Sequence, residues 1–109
     1  MWDRAAFERQ IGGDRALGDE LIGMFLEDCP MRVDEIRSAI QNGDAAALTS
    51  SAHALKGAAA YLAAQPLRDR AAELERAGRE RQLGAAPGLL AALEAEVARL
   101  LSELRTSHD

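Results

Sequence analysis

The sequence holds two histidines, and one of them keeps unusual company. His53 lies in the run Asp44-Ala-Ala-Ala-Leu-Thr-Ser-Ser-Ala-His-Ala-Leu-Lys-Gly-Ala-Ala-Ala-Tyr-Leu-Ala-Ala64. Wound as a helix, this run gathers Leu48, Ala52, Leu55, Ala59 and Leu62 within about 80° of arc, a stripe made for burial. His53 then points about 140° away from the centre of the stripe, toward solvent. Its helical neighbours are Thr49 and Ser50 before it, Lys56 and Gly57 after it, and Ala60 a turn beyond. Nearly all are small. Gly57 costs a helix interior about 1 kcal/mol relative to alanine, and no cap requires it there. Lys56 is the only lysine, against twelve arginines.

Imidazoles in water titrate at about 6.5, so a solvent-facing ring is largely neutral at cytoplasmic pH and carries a free lone pair on one nitrogen. A lysine ammonium nearby disfavours the imidazolium and so favours that nucleophilic form. If the nitrogen takes up a phosphoryl group, nearly two negative charges appear beside the same lysine. At 4 Å in water each charge pair is worth about 1 kcal/mol, so Lys56 helps more after transfer than before it. Gly57 removes the side chain that would screen the ring from another protein. Taken singly, a surface histidine, a packing glycine and a solvated lysine need no function. Their coincidence within five residues does.

The elements that must hold this site are all helical. At 109 residues the chain is one domain, 48% hydrophobic and 28% charged, with 4% aromatic residues. Its core must come from Leu, Ile, Val, Met and many alanines, the best helix formers. Strand-type alternation is absent. Asp3 caps a short first helix ended by Gly12-Gly13, and Asp14 caps a second carrying Leu17, Leu21, Met24 and Phe25 inward to about Asp28. Pro30 either opens a third helix, with Met31, Val33, Ile36 and Ile40 inward, or interrupts one long helix. Asn42-Gly43 ends that segment and Asp44 caps the histidine helix. Pro66 opens the next helix, with Leu67, Ala71 and Leu74 inward. Its Arg/Glu run (Glu73, Glu75, Arg76, Arg79, Glu80, Arg81) reads as a solvated face. Pro87 opens the last, where Leu90, Leu93, Val97, Leu100 and Leu104 form a bundle seam. The polar tail from Thr106 to Asp109 is expected to fray. Four long helices with short connections predict an antiparallel up-down four-helix bundle, with the short N-terminal helix across one end.

Composition excludes several classes. A net charge of −5 argues against nucleic-acid binding. No apolar stretch is long enough to cross a membrane, and the N-terminus lacks the layout of a secretion signal. Cys29 is the only cysteine and reads as a small buried hydrophobe. A reducing, cytoplasmic setting is the simplest expectation, and His108 in the tail is a spectator. Neither a carboxylate cluster for Mg²⁺ nor a phosphate-binding glycine loop is present, so metal and cofactor sites of its own are not expected.

Ala52-His53-Ala54-Leu55-Lys56-Gly57-Ala58-Ala59 resembles the signature of histidine-containing phosphotransfer (HPt) domains. Phe25-Leu26-Glu27-Asp28-Cys29-Pro30 is similar to the family's Phe-Leu-x-x-x-Pro segment. Asn42-Gly43-Asp44 resembles the start of its histidine helix, and Leu74-Glu75 its following Leu-Glu. The resemblance implies a bundle that carries phosphate between receiver domains in a phosphorelay. His53 would be the phosphorylated residue (at Nε2), Lys56 the charge beside the phosphate and Gly57 the residue giving access. Ala63 departs from the family, which often has glycine there; an adjusted helix end is expected.

Partners implied by the resemblance are response-regulator receiver domains, with Mg²⁺ on the receiver, and a hybrid histidine kinase. A docking surface should surround His53, drawing on Thr49, Ser50 and Ala60. Ile22 and Leu26, with Cys29, flank the core stripe of the second helix. They either extend that surface or pack against the first helix. Orienting hydrogen bonds for His53 must come from another helix or from water. The alternative readings are the phosphoacceptor domain of a chemotaxis-type kinase and a helical adaptor that never carries phosphate. A single apolar face per helix favours a monomer.

Overall fold

The computed structural model describes residues 2–108, with side chains as far as Thr106. Five α-helices result: α1 (Arg4–Gln10), α2 (Arg15–Gln41), α3 (Ala45–Tyr61), α4 (Gln65–Arg79) and α5 (Ala86–His108), the last preceded by a 3-10 turn at Leu83–Ala85. Each aspartate expected to cap does so. Asp3 accepts from the Ala6 N–H at 2.9 Å, Asp14 from Leu17 at 3.1 Å and Asp44 from Ala47 at 3.0 Å.

Pro30 lies inside α2, so the two segments it separates in the sequence are one helix. An interior proline costs about 3 kcal/mol. Ile22, Phe25, Cys29, Val33 and Ile36 form a buried stripe that continues across it, and several such side chains at about 1.5–3 kcal/mol each outweigh that cost.

The four long helices pack in sequence order, α2 on α3, α3 on α4 and α4 on α5, and α5 closes the ring against α2. The result is an up-down bundle of 41 × 20 × 20 Å. Ile36, Leu48, Leu55, Leu62, Leu67, Leu74, Leu93 and Leu104 fill its axis. Arg37 of α2 bonds Glu94 of α5 at 2.7 Å across the closing seam. The N-terminal segment straps one end of the bundle. The buried Trp2 indole donates to the Leu62 carbonyl at 2.8 Å, and the Trp2 backbone N–H reaches Glu103 of α5 at 2.6 Å.

One expectation about the apolar faces changes, and one alternative left open for α2 is decided. Leu17, Met24 and Met31 are exposed rather than inward. Ile22 is buried, because α1 covers α2 there: Ile11 and Phe7 lie directly against Gly18, one turn before Ile22. That cover rotates the buried face of α2 and leaves Met24 and Met31 outside it. α5 is described as helix through His108, and Asp109, the last residue of the polar tail, lies outside the described residues.

Candidate functional site

The site begins with why α3 is straight and bare. Leu48, Ala52, Leu55 and Ala59 bury one face without bulk, which lets α2 and α4 lie close on either side. The opposite face carries Ser50, His53, Gly57 and Ala60, all exposed. The His53 side chain is 67% exposed near the middle of the helix. A Cβ built on Gly57 would meet nothing within 4 Å, so this glycine is no packing device. It leaves open space beside the ring.

One ring nitrogen is held and the other is left. Nδ1 of His53 lies 2.9 Å from Oε2 of Glu75 on α4. An ionised carboxylate only accepts hydrogen bonds, so Nδ1 carries the proton. In the neutral ring the lone pair is therefore on Nε2, the nitrogen farther from the backbone. The same carboxylate binds Lys56 Nζ through Oε1 at 2.6 Å and Arg79 Nη2 through Oε2 at 2.6 Å. Its side chain is only 3% exposed, roofed by these three partners rather than sunk in the core. Burial alone would push the Glu75 carboxyl up. The hydrogen bonds from Lys56 and His53, with the charges of Lys56 and Arg79, outweigh it and hold the group below its ordinary 4.5. Glu75 minus, Lys56 plus and Arg79 plus leave one net positive charge beside the ring.

Sequence reasoning missed Glu75 and Arg79 by assigning both to a solvated face. A signal was available. Leu67, Ala71, Leu74 and Gly78 mark the inward stripe of α4, and Glu75 stands four residues after Ala71 and three before Gly78, on its edge. Lys56 is placed differently too. It is half-buried and paired with Glu75, so it stands beside His53 as part of an ion pair and not as a free ammonium.

The residues named for docking separate. Ser50 and Ala60 share the exposed face with His53. Thr49 does not: its hydroxyl donates to Ala45 O at 2.8 Å and it packs against Gly78, in the α3–α4 seam. Ile22 is buried under α1 and Leu26 packs partly into the core, so neither leads the surface. An apolar groove does run beside His53, between α2 and α3. Leu21, Met24 and Phe25 line one wall, and Ala54, Ala58 and Tyr61 the other. Met24 and Tyr61 are 52% and 66% exposed on its rims.

The helix end at Ala63 is not adjusted. Ala63 takes the left-handed conformation itself, at φ 56°. The Ala64 N–H bonds Ala59 O at 2.9 Å and the Ala63 N–H bonds Ala60 O at 3.0 Å, the paired bonds of a Schellman end. Among the described residues no three His, Cys, Asp or Glu side chains converge as a metal site, and no helix is long and apolar enough to cross a membrane.

Residues 20–103 match the Hpt domain family, and the chain belongs to it. Two solved structures share the fold over nearly its whole length. Histidine-containing phosphotransfer protein B (HptB) from Pseudomonas aeruginosa PAO1 is 27% identical, with 98% of this chain and 93% of that one covered and a TM-score of 0.92. The HPT domain of the Hpt sensor hybrid histidine kinase from Shewanella is 23% identical, with 97% and 92% covered and a TM-score of 0.84. No curated protein matches the sequence. The chain is accordingly a histidine phosphotransfer protein of a phosphorelay, a phosphocarrier module that pairs with receiver domains.

Proposed function

We propose that Nε2 of His53 accepts the phosphoryl group from a receiver-domain aspartyl phosphate and passes it to a second receiver. The observation that supports this most is the bond from Nδ1 to Glu75, which in the neutral form of this exposed ring puts the lone pair on Nε2. In the transfer the N–P bond forms as the P–O bond to aspartate breaks, and the aspartate carboxylate leaves. Nδ1 keeps its proton. The positive charge that develops on the ring then lies against Glu75, and the excess positive charge of Lys56 and Arg79 over Glu75 favours the arriving phosphoryl group. Positioning and charge stabilisation carry most of such a transfer. The metal and the remaining catalysis belong to the receiver, whose Mg²⁺ it brings with it. This chain supplies the nucleophile and works as a cytoplasmic monomer without an ATP site of its own.

The receiver docks on the exposed face of α3 and along the α2–α3 groove, with Ser50, Gly57 and Ala60 around the ring and Met24 and Tyr61 at the rims. The proposal is tested by incubating the protein separately with a phosphorylated receiver and with a histidine kinase. Label is expected from the receiver, on His53, acid-labile and absent in His53→Gln. Label from the kinase alone assigns the chain to the phosphoacceptor domain of a chemotaxis-type kinase. Label from neither makes it an adaptor.

A further inference from the structure

Glu75 reaches His53 only because α3 and α4 lie unusually close, and the closeness has a local cause. A Cβ built on Gly78 would lie 2.5 Å from Thr49 Oγ1, 2.8 Å from the Thr49 backbone nitrogen and 3.0 Å from the Ala45 carbonyl oxygen. Two of these three atoms are backbone, so no rotamer change makes room. Any side chain at this position pushes the helices apart. Gly78 lies three residues after Glu75 on the same face of α4, and α3 runs antiparallel to it, so contact at Ala45 and Thr49 sets the gap that Glu75 spans to His53.

We propose that Gly78 is a positioning residue: its missing side chain sets the α3–α4 spacing at which the Glu75 carboxylate holds Nδ1 of His53 and so fixes which nitrogen is free. The inference rests on the reading of His53 as phosphoryl acceptor. Widening the pair by half an ångström would act selectively. Arg79 shares α4 with Glu75 and moves with it. Lys56 has a flexible stem and can follow. The imidazole is short and cannot extend, so a 2.9 Å bond stretched by that amount passes out of hydrogen-bonding range. Gly57, also inside a helix, meets open space and has no part in this.

The test reads the tautomer of His53 by ¹⁵N NMR, with its signals identified by comparison with His53→Gln. In the wild type Nδ1 should appear protonated and Nε2 bare. Gly78→Ala is made in an Ala63→Gly background, which relieves the left-handed alanine and offsets lost stability. Both nitrogens should then move toward the mixture of a free imidazole, and phosphoryl acceptance from a receiver should fall about tenfold. Glu75→Asp, one methylene shorter with the helix contact untouched, should move them in the same direction. Leu104→Ala, which loosens the core at α5, should not move them at all. A wild-type tautomer in Gly78→Ala or in Glu75→Asp overturns the proposal. Because the tautomer is read without any phosphoryl donor, failure of transfer in the wild type would sink the acceptor reading and leave the tautomer comparison standing.

Discussion

Two glycines inside helices and one buried carboxylate carry most of the chemistry proposed for His53. Gly57 costs α3 about 1 kcal/mol and touches nothing, so Gly57→Ala should raise stability by up to about that amount while slowing transfer to and from a receiver. Opposite signs in urea unfolding and in transfer kinetics would separate access from packing; equal transfer rates would remove Gly57 from the site. Glu75 has a pH signature. Its folded carboxyl sits below its ordinary value, so its contribution is complete above about pH 4.5 and is lost as the pH falls through the folded value. Glu75→Gln should therefore cost about 2 kcal/mol at neutral pH, the worth of hydrogen bonds to a charged group. The gap to wild type should shrink in acid, as read by unfolding across a pH series. What the sequence could show here was the exposed histidine and its open side, because exposure on α3 follows from helical period alone. It could mark Glu75 as standing on the edge of the inward stripe of α4, but not as the partner of His53, because that pairing depends on how closely α4 approaches.

At the level of elements, starts were legible and faces less so. Aspartate caps act within one turn, so Asp3, Asp14 and Asp44 announce their helices in the sequence itself. The buried face of α2 is set by what lies over it. Without knowing that Phe7 and Ile11 press on Gly18, Met24 and Met31 look as inward as Phe25, and Ile22 looks available. Helix ends show a related limit. α2 leaves through Gly43 at φ 64°, whereas α3 and α4 leave through Ala63 and Arg81, both at φ 56°. A left-handed non-glycine residue costs about 1 kcal/mol, so Ala63→Gly should stabilise the protein by about that much, a rise in Tm of about 5 °C for a domain of this size. The groove between α2 and α3 predicts a separate outcome. Met24→Asp should weaken receiver binding and leave helicity and Tm nearly unchanged, since Met24 is exposed; a loss of helicity would place Met24 in the core.

For the molecule as a whole, the four-helix ring was readable because each long helix carries an apolar stripe and the connections are too short for anything but antiparallel neighbours. Its closure through Arg37 and Glu94, which pair α2 with α5, was not, since neither residue stands out among many charges. Cys29 reports on that ring. It is buried between α2 and its neighbours, and burial pushes its thiol up to about 11. Disulfide-exchange reagents at neutral pH should therefore label it only through opening of the bundle, at a rate that falls as stabilising changes such as Ala63→Gly are introduced. Labelling as fast as an unfolded peptide would mean that α2 does not stay docked.

The strap at the N-terminus gives the protein a built-in gauge of its own integrity. Its sole tryptophan is clamped between the last carbonyl turn of the helix that carries His53 and a glutamate of the final helix. Indole emission should be blue-shifted in the native state and redden as that end of the bundle lets go. Fluorescence alone, with no dye or tag attached, should thus follow whether the support under His53 is intact while a receiver comes and goes.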